Sequence, residues 1–209
     1  MQQSLLNRFL ISVSYIFHPL YMPLAGCLIY FNFSPRYIPT EYQYTLLTAT
    51  LLILIVFPVL LFLLFKKLRW ITDFEIRLLK ERRYPVIVYI SLIYICIRSL
   101  ISEQSLYELY YFFVGILLSL IATLICIFFK HKTSLHTMGV SGLWAYVIFL
   151  SIYYRIDLLW LIIVLSVAIG LVATSRLAMN AHKPYELISG FIFGVIPQLL
   201  MVNYYYIHL

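Results

Sequence analysis

Residues Ser175 to Gly194 read SRLAMNAHKPYELISGFIFG, a polar segment between two long stretches that lack Asp, Glu, Lys and Arg: Asp157 to Arg176 before it and Glu186 to the C-terminus after it. A charge at the centre of a bilayer costs a few kcal/mol or more, so charge-free stretches of about 20 residues read as crossings and the polar pieces between them as surface turns. The quoted segment is then a hinge between the last two crossings. Working outward by the same rule, Arg8 to Arg36, Glu41 to Lys66, Glu108 to Lys130 and Lys132 to Arg155 each enclose a further span. Tyr84 to Ser102 encloses another only if Arg98 snorkels to an interface or pairs with a neighbouring helix. The expectation is an all-α, polytopic transmembrane helical bundle of six or seven spans, forming one integral membrane domain over residues 1–209. The period-two alternation of a membrane barrel is absent.

Composition supports this. Apolar side chains make up 64% of the 209 residues, enough for six or seven crossings, and charged residues only 11%. Soluble domains carry about 25% charged residues, so a soluble enzyme, a coiled coil and a disordered tail are excluded. Cys27, Cys96 and Cys126 all lie in apolar runs without C-x-x-C spacing, so neither a disulfide framework nor a zinc site is expected. The N-terminal apolar run, broken by Pro19 and Pro23, has no small-residue cleavage site and reads as a retained span. Lys66 to Arg83, KKLRWITDFEIRLLKERR, places Leu68, Ile71, Phe74 and Leu78 at three- and four-residue spacing, which predicts an interfacial helix with Trp70 in the headgroup zone.

With seven spans, the turns around 66–83, 130–137 and 175–186 emerge on one face with the N-terminus. Of 15 Lys and Arg, that face holds 12, leaving Arg36, Arg98 and Arg155 on the other. A positive-inside bias and a cationic funnel for anionic substrates explain the excess equally well. No nucleic-acid partner is expected.

Two of those turns carry chemistry. In KHKTSLHTMG, Lys130 to Gly139, His136 stands with Ser134 and Thr137 at the start of an apolar helix, where unpaired N–H groups favour an anion; equally, Ser134 or Thr137 would simply cap the helix. In the quoted hinge, Arg176 and His182 lie six apart and Glu186 four beyond the histidine. A guanidinium can grip phosphate oxygens, and a carboxylate can hold one imidazole nitrogen so that the other faces phosphorus. Such a histidine can act as a nucleophile while a second donates a proton to the leaving oxygen. His18, just before Pro19, reads as a hydrogen-bonded packing residue. His131 fits a basic surface, and the abundant tyrosines fit interfacial belts.

These residues resemble the phosphatidic acid phosphatase type 2 superfamily, which also contains the vanadium haloperoxidases. Its signatures are written K-x6-R-P, P-S-G-H and S-R-x5-H-x3-D. Ser175, Arg176, His182 and Glu186 match the third, with Glu in place of Asp, and Gly190 and Gly194 look like the small-residue helix that follows it. Thr133 to His136, TSLH, keeps the Ser and His of the second but replaces its Pro and Gly. Ahead of Pro85, Arg83 and Arg77 are the chosen counterparts of the first, shifted by one, with Lys80 or Arg82 as substitutes. HPLYMP in the first span also resembles short bacterial members.

The resemblance implies a lipid phosphatase of the bacterial inner membrane that hydrolyses a phosphomonoester or diphosphate of a membrane lipid, such as undecaprenyl diphosphate, phosphatidylglycerophosphate, phosphatidic acid or a lipid A phosphate. His182 would attack phosphorus and form a phosphohistidine, His136 would protonate the leaving group, and Glu186 would orient His182. Arg176, Arg83, Arg77 and Ser134 would bind phosphate, with no metal or cofactor. Transfer of the phosphoryl group to another lipid, or a lipid-binding or transport protein with weakened catalysis, are the alternatives.

Overall fold

The computed structural model describes residues 2–70, 79, 81–101 and 106–207, with side chains described from Leu10 to Val202 within those limits and at Leu5, Arg8 and Phe9. It is a helical bundle, without a strand among the described residues. The helices are α1 (Gln2–Ile16), α2 (Met22–Phe33), α3 (Thr40–Leu51), α4 (Phe57–Lys67), α5 (Arg83–Ser99), α6 (Tyr107–Phe128), α7 (Leu135–Tyr154), α8 (Leu159–Ala178) and α9 (Pro184–Ile207). Six stretches are long and apolar enough to cross a membrane: Arg8–Phe33, Thr40–Lys67, Tyr107–Phe128, Leu135–Tyr154, Leu159–Ala178 and Pro184–Val202. The chain is thus built as a multi-pass membrane protein. Helix α5, at 17 residues, is shorter than these. Its two ends nevertheless reach opposite ends of the bundle: Arg82 donates to the Thr133 carbonyl before α7, and Tyr42, near the start of α3, donates to the Leu100 carbonyl. The amphipathic helix predicted between Lys66 and Arg83 falls mostly on residues outside the described set, as do Arg77, Lys80 and His208.

Burial follows from a bilayer as solvent. Leu60, Leu64, Ile163, Val167, Leu199 and Leu200 are exposed within the spans, an apolar surface that water would penalise and lipid tails accept. The central element is α7, packed against α9, α8, α2 and α6. Its closest neighbour is α9, and glycines explain why. A Cβ on Gly194 would collide with the Ser141 hydroxyl and the Met138 carbonyl, and one on Gly190 would stand 2.5 Å from the Ser134 carbonyl. The Gly190–Gly194 pair therefore lets two backbones touch.

Two departures from regular helix shape the interior. Pro19 follows His18 at a short 3-10 turn, Pro19–Tyr21, which breaks the first span into α1 and α2. Helix α1 is then pinned to α8, where the Ser175 hydroxyl meets the Leu10 carbonyl and the Ser14 hydroxyl, both at 2.6 Å. Pro58 has no N–H to offer the Leu54 carbonyl, and its ring crowds that turn; the chain answers with a π-helical turn over Leu52–Val56, between α3 and α4.

At the end of the bundle away from these turns, buried Glu108 accepts from Arg36 and from the Tyr30 hydroxyl, each at 3.0 Å. Arg36 also donates to the Tyr154 hydroxyl at 3.2 Å, so α2, α6 and α7 share one polar clamp.

Candidate functional site

Local sequence builds the site from three turns. Helix α8 ends in a Schellman-type turn: Asn180 takes φ 50°, a left-handed conformation that Asn tolerates, and the Ala181 N–H returns to the Arg176 carbonyl at 3.0 Å. That reversal leaves His182 two residues before Pro184, which opens α9. Glu186 then occupies the third helical position and accepts from the Lys183 N–H at 3.2 Å, the carboxylate half of a capping box. The same oxygen, Oε2, sits 2.7 Å from Nδ1 of His182. One carboxylate therefore caps the helix and orients the imidazole.

The second turn is fastened to the first by three contacts. The Ser134 N–H donates to the Glu186 carbonyl at 3.1 Å, Lys132 Nζ donates to the Ala181 carbonyl at 2.7 Å, and His131 Nε2 lies 2.9 Å from the Ser189 hydroxyl. Ser134 caps α7 by accepting from the Thr137 N–H at 3.4 Å, and His136 stands in the first turn of that helix. The third contribution is Arg82, just before α5, which reaches Thr133 and places its second guanidinium nitrogen 3.5 Å from Nε2 of His182.

His136, His182, Arg82 and Arg176 line one end of a cavity of about 550 Å³. Beyond them its walls are mostly apolar, with Pro58, Phe62, Val86, Phe112 and Leu120 among the side chains that continue it into the bundle. Arg82, Arg176, His182 and Glu186 are all buried. Burial first, and then the charges of Arg82, Lys132 and Arg176, push the His182 imidazolium down to about 2 from its ordinary value. Glu186 fixes the tautomer. The ring is neutral, donates Nδ1–H to the carboxylate, and turns its Nε2 lone pair toward Arg82 and the cavity. Such a nitrogen can act as a nucleophile, and the Arg82 guanidinium beside it, with Arg176 lining the same cavity, suits a tetrahedral oxyanion.

Of the residues expected from sequence, His136, His182, Glu186 and Arg176 are brought together. Arg83 is not: it is exposed, with its guanidinium 5.0 Å from the ring centroid of Phe128 on the outside of α6. Its expected place is taken by Arg82. The reason is helical phase, since Arg82, Val86, Tyr89 and Ile93 follow one inward stripe and Arg83 lies about 100° off it. Ser134 is also corrected: it is fully buried, does not line the cavity, and uses its hydroxyl to cap α7. Arg77 lies outside the described residues.

Two further residues stand at the site: Arg82, which the sequence offers as a substitute for Arg83, and His18, which it presents as packing. The sequence does not rank Arg82 above Arg83, because α5 is apolar almost all round and offers no polar face to set the phase. His18, read as packing, lines the cavity, and its ring centroid is 5.1 Å from that of His136. The signal for it was the His-Pro step, which breaks a span that its apolar composition would have left straight. Among the described residues there is no group of three His, Cys, Asp or Glu side chains that could hold a metal ion. No family model matches the chain, and neither a curated protein nor a solved structure matches it.

Proposed function

We propose that the protein is a lipid phosphatase of the phosphatidic acid phosphatase type 2 kind, working in a bacterial inner membrane with α5 as a seventh crossing. One observation carries the reading: a neutral imidazole held at Nδ1 by a buried carboxylate opens its Nε2 beside the buried Arg82 guanidinium, with buried Arg176 on the same cavity wall, at the polar end of a mostly apolar cavity. A soluble phosphate ester has no use for the apolar remainder, whereas a lipid phosphate fills both ends. Nε2 of His182 attacks phosphorus, the bond to the lipid oxygen breaks, and His136, charged by the proton that the phosphate monoanion brings into the site, gives that oxygen its proton. Water then attacks the phosphohistidine, His136 takes the water proton, and inorganic phosphate leaves. Arg82 and Arg176 balance the charge on the equatorial oxygens throughout.

The test is phosphate release by purified protein from phosphatidic acid, phosphatidylglycerophosphate, undecaprenyl diphosphate and a lipid A phosphate, with orthovanadate and EDTA as controls. Release from at least one lipid, blocked by orthovanadate, unaffected by EDTA and lost in His182→Ala, is the expected result. Binding of these lipids without turnover by the wild type would instead identify a carrier.

A further inference from the structure

We infer that His18 is a third histidine of the site, a fixed neutral donor that holds a phosphoryl oxygen through Nε2–H; this rests on the lipid phosphatase reading above. Four features of the structure lead there. The His18 ring lines the same cavity as His136, His182, Arg82 and Arg176. It stands edge-to-face with His136, at an interplanar angle of 83°. Its Nδ1 accepts the Leu20 N–H at 3.3 Å, as the cap of the 3-10 turn. A nitrogen that accepts carries no proton, so in the neutral ring the proton resides on Nε2. Finally, the approach is built in. Gly139, one turn after His136, leaves room for the broken span: a Cβ there would stand 3.0 Å from the Met22 side chain and 3.4 Å from Cα of Pro19.

The alternative is that His18 caps the turn and does nothing else. Two substitutions separate the roles, because Asn places an acceptor where Nδ1 stands but lacks the distal donor, while Gln reaches the Nε2 position with an amide N–H and forfeits the cap. A donor aimed at charge that develops in the transition state acts on kcat more than on KM.

The experiment measures kcat, KM and the thermal midpoint in detergent for wild type, His18→Asn and His18→Gln, with phosphatidic acid in mixed micelles. The inference expects His18→Asn to keep the wild-type midpoint and KM while kcat falls about 100-fold, and His18→Gln to recover at least about a tenth of the wild-type kcat. Wild-type kcat in His18→Asn, or a loss that merely follows unfolding, overturns it. If that outcome accompanies an active wild type and a dead His182→Ala, this inference alone falls and the phosphatase stands. Should the wild type hydrolyse nothing, orthovanadate binding decides: stabilisation of the wild type that is lost in His18→Asn upholds the donor, whereas equal stabilisation of both, or of neither, overturns it.

Discussion

The two ring nitrogens of His182 and one neighbouring guanidinium carry the proposed chemistry: Nδ1 on Glu186, Nε2 toward the cavity, and the Arg82 guanidinium beside it. Because the reacting phosphoryl group would sit against Arg82 and not Arg83, the two adjacent arginines have opposite expectations. Arg82→Ala lowers kcat/KM by on the order of 100-fold, as for loss of one oxyanion-stabilising donor; Arg83→Ala stays within about twofold, since it gives up only a cation–π contact at the surface. Steady-state kinetics of both variants with one lipid phosphate settles it. Stability should also respond to pH through His182. Glu186 faces the ring together with Arg82, Lys132 and Arg176, and the folded ring resists protonation until about pH 2. The unfolded chain takes up that proton near its ordinary value of about 6.5. Below that value the unfolded state binds more protons, so the contribution is complete above pH 6.5 and declines as pH falls. Thermal midpoints from pH 7.5 to 5 should therefore drop more steeply for the wild type than for His182→Gln, and parallel slopes would contradict the assignment.

Among the helices, the pairing of α7 with α9 matters most, because it carries His136 and Glu186 on touching backbones. Gly194→Ala must displace the Ser141 hydroxyl or the Met138 carbonyl, at a cost of about 1–3 kcal/mol. Gly170 in α8 has nothing within 4 Å of its Cβ position, so Gly170→Ala is neutral or stabilises by up to about 1 kcal/mol. Paired unfolding curves in detergent check the contrast, with equal midpoints arguing against the close approach. At this scale the sequence was readable where polarity changed and opaque where it did not. Charge gaps located the long spans, and the Arg176-His182-Glu186 spacing located the turn between α8 and α9. They say nothing about the rotation of α5, whose inward and outward faces are both apolar, and so cannot tell Arg82 from Arg83. Ser134 misled for another reason: a hydroxyl that caps a helix and one that binds an anion occupy the same sequence position at the helix start. The break at His18 was written in the His-Pro step, but which cavity the ring would enter depends on α7 and Gly139, far away in the chain.

Across the whole molecule, the two ends of the bundle are held by different chemistry. The site end joins its turns by one backbone and two side-chain hydrogen bonds and sets Arg82 and Arg176 on the cavity wall, while the far end locks α2, α6 and α7 through Glu108, Arg36, Tyr30 and Tyr154. Arg36→Leu strands the Glu108 carboxylate in a buried place and should cost on the order of 3 kcal/mol, read as a lower unfolding midpoint. The candidate site lies at the other end, so kcat in the remaining folded protein should be unchanged; a kcat loss without destabilisation would show that the clamp takes part in the proposed reaction. Sequence composition alone revealed the membrane architecture, yet this clamp escaped it, because Arg36 and Glu108 are 72 residues apart and each looked like a boundary marker for a span. The central claim is that His182 becomes covalently phosphorylated. The most direct measurement is a rapid acid-free quench of the protein with lipid phosphate labelled at phosphorus, followed by peptide mapping of the labelled chain. The account predicts an alkali-stable, acid-labile label on His182 that turns over to inorganic phosphate and is absent from His182→Ala; label on another residue, or undiminished turnover in His182→Ala, would contradict it.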